Sequence, residues 1–205
     1  KQRKALRARL VRPEGFTLKW DSRGAGDDQF ASVWEPWSSA INKGDALPYG
    51  WLSPRKVRLF LGHIAWDRLT APPRESVSML EVEDTRSVLG ASMFSGSGAS
   101  LLDRAVATLF KQAVGYELLW SAPSHQPSIW AWRPRPPEGF VALGFLVTAS
   151  KDVPPGGAWA GAVHCVPESW TVIDAGQPTA VWTDAGRSRL WTAAASLDAM
   201  PSMRL

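Results

Sequence analysis

Much of this chain is written twice. FTLKW at 16–20 returns as YELLW at 116–120, and FASVWEP at 30–36 returns as IWAWRP at 129–134. FLGHIA at 60–65 returns as ALGFLV at 142–147, and APP at 71–73 as VPP at 153–155. The interval from Gly62 to Pro72 equals that from Gly144 to Pro154. Such a repeat constrains the fold before anything else does. Each copy is one supersecondary unit that cannot bury its apolar face alone, so the copies must pack on one another. A partial third echo, AVWTDAG at 180–186 followed by Trp191, is similar to LKWDSRG at 18–24. The first copy carries an insertion, SSAINKGDALPYGWLSPRK at 38–56, which reads as loop.

The elements inside each copy are short and β-like. Pro and Gly punctuate the whole chain. Between them lie runs rich in β-branched and aromatic residues: 16–20, 30–34, 57–65, 77–82, 116–120, 140–149, 162–166 and 180–182. In FTLKW, Phe16, Leu18 and Trp20 fall on one face of a strand. Pro134, Pro136 and Pro137 lack an N–H for a central ladder, so RPRPPEG reads as an edge or corner. Gly139 and Gly144 suggest a turn and a tight backbone approach. One helix is expected over 100–114, capped by Ser100 with Asp103 three residues on and ended by Gly115. Its apolar stripe is Leu102, Ala105, Val106, Leu109 and Ala113, after a flexible SMFSGSGAS. The expected fold is all-β over 16–205, with two pseudo-repeated units packed as a sandwich. Copy one spans 16–90, copy two spans 116–205, and the short helix sits at their junction.

Charge is unevenly placed. Residues 1–12 hold six of the 23 basic residues and no acid, leaving 17 basic against 19 acidic residues elsewhere. The expectation is a basic arm or linker over 1–15, able to touch a membrane peripherally, ahead of a domain with no nucleic-acid-binding surface. The chain starts at Lys1, which reads as a piece of a longer polypeptide, and shows no signal peptide. The single Cys, Cys165, excludes a disulfide framework within the chain and fits a reducing compartment.

SIWAWRPRPPEGFVALGFLV, then Pro-Pro, then HCVPESWTV, then VWTDAG and a further Trp together resemble the vacuolar protein sorting sixty-two family. Similar units occur in plant and algal members of the vacuolar protein sorting thirteen family, the bridge-like lipid-transfer proteins. The resemblance covers residues 16–205. On the second copy it places Trp132, Pro134, Pro136, Pro137, Gly139, Phe140, Leu143, Gly144, Pro154, Pro155 and Cys165 on the family pattern. On the first it places Trp20, Trp34, Pro36, Leu61, Gly62, Pro72 and Pro73. The first copy lacks the Pro-Pro-x-Gly corner, and Thr192 follows Trp191 where relatives often have Asn. In the adaptor-binding repeats such Asn residues support recognition, so that mode of adaptor binding is not carried over. The resemblance implies a non-catalytic interaction or scaffold module of a large lipid-transfer protein. It would be cytoplasmic and peripheral at organelle membrane contact sites, with a protein adaptor or neighbouring domains of the same chain as partners.

Catalytic chemistry finds little support in the residues. A nucleophile needs a base and an orienting group, and His63, His125 and His164 have no G-x-S-x-G elbow to serve. His164 beside Cys165 does not make a zinc site without further ligands, and adjacent strand residues face opposite ways. EVED at 81–84 lacks a calcium-loop pattern and reads as a solvated turn. No enzyme activity, cofactor or metal is therefore expected. Eleven of the 12 Trp residues divide in two, and Trp130, two residues from Trp132, is left unassigned. Trp20, Trp34, Trp120, Trp132, Trp182 and Trp191 occupy repeat positions and read as core. Trp37, Trp51, Trp66, Trp159 and Trp170 lie outside them and are the candidate ligand or partner surface; the alternative function is a stand-alone module that binds a lipid headgroup or glycan through them.

Overall fold

A computed structural model describes residues 6–23, 30–38, 56–85, 101–123, 127–154 and 162–171, and the backbone of 179–184 and 188–192. The described chain is mostly β, with one α-helix. The first strands are β1 (Leu6–Val11), β2 (Gly15–Asp21), β3 (Ser32–Trp37), β4 (Lys56–Leu59), β5 (Ile64–Trp66) and β6 (Met79–Asp84). Helix α1 (Leu101–Leu109) follows. The second series is β7 (Gly115–Ala122), β8 (Ile129–Arg135), β9 (Phe140–Val141), β10 (Leu146–Thr148) and β11 (Val166–Pro167), and then β12 (Thr179–Asp184) and β13 (Ser188–Thr192).

The repeat is visible as hydrogen-bond register. Sheet order β2-β3-β5 in the first copy matches β7-β8-β10 in the second. Phe16 opposes Pro36 as Tyr116 opposes Pro134, and Leu18 opposes Trp34 as Leu118 opposes Trp132. Each hairpin then slips by one residue, between Leu18 and Trp20 and between Leu118 and Trp120. Such a bulge bends its strand and increases the local twist. The partial echo is a third such hairpin: β12 pairs with β13 and slips between Ala180 and Trp182. Strand β4 pairs with β6 as β9 pairs with β11.

The two equivalent sheets share a core. Trp20, Ala31, Val33 and Ala65 of the first pack with Ala122, Ile129, Ala131 and Val147 of the second. Two small-residue positions make this close approach feasible. A Cβ on Gly62 would lie 2.8 Å from Gly144 Cα, and one on Gly144 would lie 2.5 Å from the Leu61 carbonyl. Gly62 also has φ 124°, which L side chains avoid. Equivalent glycines of the two copies thus touch backbone to backbone. His63 seals the joint: its N–H donates to Phe145 O at 2.7 Å. Its Nδ1 accepts from Val147 N–H at 2.9 Å. Gly139, at φ 75°, makes the expected turn.

A second core lies between sheet β1-β6-β4 and the inner face of α1, where Leu102, Val106 and Phe110 meet Leu59, Leu80 and Val82. A third gathers Tyr116, Trp132, Leu146, Val163 and Cys165.

Three expectations are corrected. The segment read as a basic arm or linker over 1–15 contains β1, paired residue for residue with β6. Leu6, Ala8 and Leu10 alternate with Arg7 and Arg9 at the strand period, and the apolar set packs in the helix core. EVED is not a solvated turn but the end of β6, with Glu81 buried. Helix α1 stops at Leu109 rather than Val114. Phe110 is wholly buried in the helix core, and the chain beyond it is drawn into a ladder, with Ala113 N–H donating to Val163 O and Cys165 N–H to Lys111 O. Residues 39–55 of the insertion, the SMFSGSGAS connection, Ser100 and His125 lie outside the described residues.

Candidate functional site

The repeat Trp residues with described side chains, Trp20, Trp34, Trp120 and Trp132, are framework. Trp20 is buried, donates its Nε1–H to Pro127 O at 3.0 Å and meets Trp120 edge-to-face. Trp34 donates to Ser32 Oγ at 2.6 Å, and Trp132 donates to Thr148 Oγ1 at 2.9 Å. A buried indole needs such a partner for its N–H. Pro36, Pro72, Pro134 and Pro154 are buried with them, while Pro73 is exposed and Pro137 half-buried. Trp130 shares the face and core of Trp132. Trp182 and Trp191 lie in the third hairpin. Pro155 lies outside the described residues.

Of the five surface candidates, Trp37 alone stands exposed among the described residues, at 44%. It ends β3, and its ring lies over Gly15, where a Cβ would sit 2.8 Å from the indole. Glycine at that position lets the ring lie flat on the neighbouring strand. Glu14 N–H donates to Trp37 O at 3.0 Å, which pins the same end. Trp170 packs edge-to-face on Phe110, and Trp66 is half-buried at the end of β5. Trp51 and Trp159 lie outside the described residues.

Beside Trp37 runs a charge network that the sequence did not announce. Ser38 Oγ–H donates to Glu14 Oε1 at 2.6 Å, and Arg58 donates to Glu14 at 2.8 Å and also to Ser38. Arg58 also donates to Glu81 Oε2 at 2.9 Å, and Arg9 donates to Glu81 Oε1 at 2.6 and 2.8 Å. Burial pushes the Glu81 carboxyl up, but the Arg9 and Arg58 donors outweigh it and hold it below the ordinary carboxylate range. The signal for this network was present but distributed: Arg7 and Arg9 oppose Glu83 and Glu81 across the β1–β6 register.

A second polar group sits on the β2–β3 hairpin. Lys19 pairs with Glu35, and His63 Nε2 stands 3.6 Å from Glu35 Oε2, an electrostatic contact rather than a hydrogen bond. His63 and Lys19 hold the Glu35 carboxyl down at about 2 against the opposing effect of burial. Burial lowers the His63 pKa more than Glu35 raises it, so the ring is neutral with its proton on Nε2. His164 is buried with its pKa lowered by burial, and the Cys165 thiol is pushed up to about 11 by burial. A thiol held protonated is a poor nucleophile and metal ligand. No group of three or more metal-ligating side chains occurs among the described residues. No helix among them is long and apolar enough to cross a membrane.

A sequence comparison finds a match that takes in the helix and the strands of the second copy. Residues 86–195, more than half of the chain, match the family model of Vacuolar protein sorting-associated protein 62. The chain belongs to this family. No curated protein matches it. The fold is similar to that in the crystal structure of GNIP1Aa from Chromobacterium piscinae, with a TM-score of 0.56 and 19% identity. The similarity covers 94% of this chain and 31% of that protein. The chain thus spans less than a third of the length of that protein.

Proposed function

We propose that this chain is a non-catalytic interaction and scaffold module of a longer polypeptide. It works at organelle membranes in the cytoplasm, within a lipid-transfer protein of the vacuolar protein sorting thirteen type. The observation that carries this reading is the division of the Trp residues. Of the repeat Trp residues whose side chains are described, Trp20, Trp120 and Trp132 pack in the cores and Trp34 is buried, while Trp37 is held exposed at a strand end beside polar groups that already satisfy one another. An aromatic with one apolar face and a wet rim is the usual anchor of an interface. The family membership supports the membrane-traffic setting, and the resemblance to lipid-transfer proteins supplies the parent. Its partners are an adaptor or neighbouring domains of the parent.

The test is localisation. The chain fused to a fluorescent reporter is expected to decorate organelle membranes, and the Trp37→Ala variant to become diffuse. A wild-type fusion that is diffuse contradicts the reading. The same exposed indole favours a second reading, direct binding of a lipid headgroup or glycan. Titration with headgroup analogues and oligosaccharides then shifts the Trp emission of the wild type and leaves that of the Trp37→Ala variant unmoved. No shift with any ligand contradicts it.

A further inference from the structure

The geometry points to a membrane-docking edge on the second copy: strand β7 and the outer end of β8 form an apolar and cationic rim that meets an anionic bilayer surface. This deepens the proposed membrane role and moves it away from the N-terminal basic segment. There Arg9 is held by buried Glu81, and Arg12 lies 3.8 Å from Glu75.

Among the described residues β7 is an edge strand, since the order of its sheet is β10-β8-β7. Val114, just before the strand, and Leu118 and Leu119 within it are exposed, at 60%, 47% and 43%. These are three of the eight large hydrophobics exposed among the described residues, gathered within six positions of one strand edge. Arg133 and Arg135 lie opposite Glu117 and Gly115 on the neighbouring strand, and both are exposed. Val114 N–H donates to Arg135 O at 2.9 Å, which ties the apolar start of β7 to the basic end of β8. The Arg135 side chain passes over Gly115, 3.9 Å from where a Cβ would stand. Neither guanidinium forms an ion pair with a described carboxylate, and Glu117, though directly opposite Arg133, is not within salt-bridge distance.

Charge complementarity selects the occupant. Exposed aliphatic side chains along this strand, with the exposed guanidiniums of Arg133 and Arg135 on the strand beside it, suit a bilayer interface, where apolar groups enter the headgroup layer and Arg meets phosphate. Each basic residue near an anionic surface contributes about a fivefold gain in partition. The first copy keeps one exposed aliphatic, Leu18, but at the other equivalent positions it has Glu14, Lys19, Glu35 and Trp37, with Lys19 paired to Glu35.

The test is co-sedimentation of the purified chain with vesicles of phosphatidylcholine alone or with phosphatidylserine, at low and moderate salt. Binding is expected to the phosphatidylserine vesicles and to weaken with salt. Arg133→Gln with Arg135→Gln is expected to weaken it more than tenfold, and Leu118→Ser with Leu119→Ser to weaken it severalfold. Arg74→Gln with Arg104→Gln removes the same charge from exposed sites elsewhere and is expected to stay within about threefold of wild type. Circular dichroism melting confirms that each variant is folded. Equal loss in the two double-Arg variants, equal binding to neutral vesicles, tighter binding to polyglutamate than to vesicles, or no vesicle binding overturns the proposal. If vesicle binding fails while the fusion still decorates organelles, this edge is refuted and the module reading stands.

Discussion

The two copies share one backbone register and almost none of their charges. In both, an aromatic opposes a proline, a Leu opposes a Trp, and a bulge follows at the same place. Around that shared frame they diverge. The first copy is preceded by strand β1, clamped through Arg9 to Glu81, whereas the second is preceded by helix α1. At its outer hairpin positions the first copy has Glu35 and Trp37, and the second has Arg133 and Arg135. Positions that touch the partner copy are constrained by the space available, with glycines where the backbones meet and packed Ala, Val, Ile and Trp side chains in the shared core. Positions past the rim of the core carry no such restriction, so differences in binding are to be sought there.

The largest effect is expected where the copies are most alike. Trp34→Ala and Trp132→Ala each remove a hydrogen-bonded, buried indole and should cost about 3–5 kcal/mol. Denaturant melts of the two variants should give similar losses, and a loss in one copy only would break the equivalence. Next comes a residue that the second copy has no counterpart for. Glu81→Gln leaves two guanidiniums facing an uncharged group and should cost about 3 kcal/mol at pH 7. The sign with pH follows from its lowered pKa. The Glu81 contribution is present above the unfolded value of about 4.3 and is lost as pH falls through the folded value. The gap between wild type and variant should therefore close in acid; a gap that widens would contradict the network.

Smaller still is the glycine contact. Gly144→Ala puts a Cβ 2.5 Å from a carbonyl of the other copy and should cost about 1–3 kcal/mol. Gly139→Ala meets nothing within 4 Å and suffers only the strain of φ 75°, so it should cost less. The smallest effect is His63→Phe, which installs the residue that the second copy has at the equivalent place. The loss of the Nδ1 acceptor for Val147 N–H should cost about 1 kcal/mol at pH 7. Because burial lowers the His63 pKa, wild type loses stability as pH falls from about 6.5 towards the folded value. The variant should lack that component in thermal melts from pH 7 to 5. Identical slopes would show that His63 does not titrate at the joint.

The sequence foretold most of the β frame because its signal was repeated. A Trp strand read once is weak, but the same Trp, Pro and Gly at matched intervals leave little freedom. Strand β1 is hidden for the opposite reason: in KQRKALRARLVR the alternation of Leu6, Ala8 and Leu10 is short and set among basic residues, and its partners lie some 70 residues away on β6. Glu81 was misread likewise, since its burial depends on Arg9 and Arg58 from two other strands. Trp37 was legible as a candidate because it fell outside the repeat, but so did Trp170, which Phe110 holds in the helix core. Sequence position separated frame from non-frame. Only the packing separated an exposed indole from a buried one.

The central claim is that the frame is common and the outer positions carry the binding. Converting the second copy's outer pair into the first copy's, by Arg133→Glu with Arg135→Trp, tests it directly. These exposed substitutions should leave stability within about 1 kcal/mol of wild type. Partition onto phosphatidylserine vesicles should fall more than tenfold. A variant that fails to fold, or one that folds and binds those vesicles as wild type does, would contradict the account.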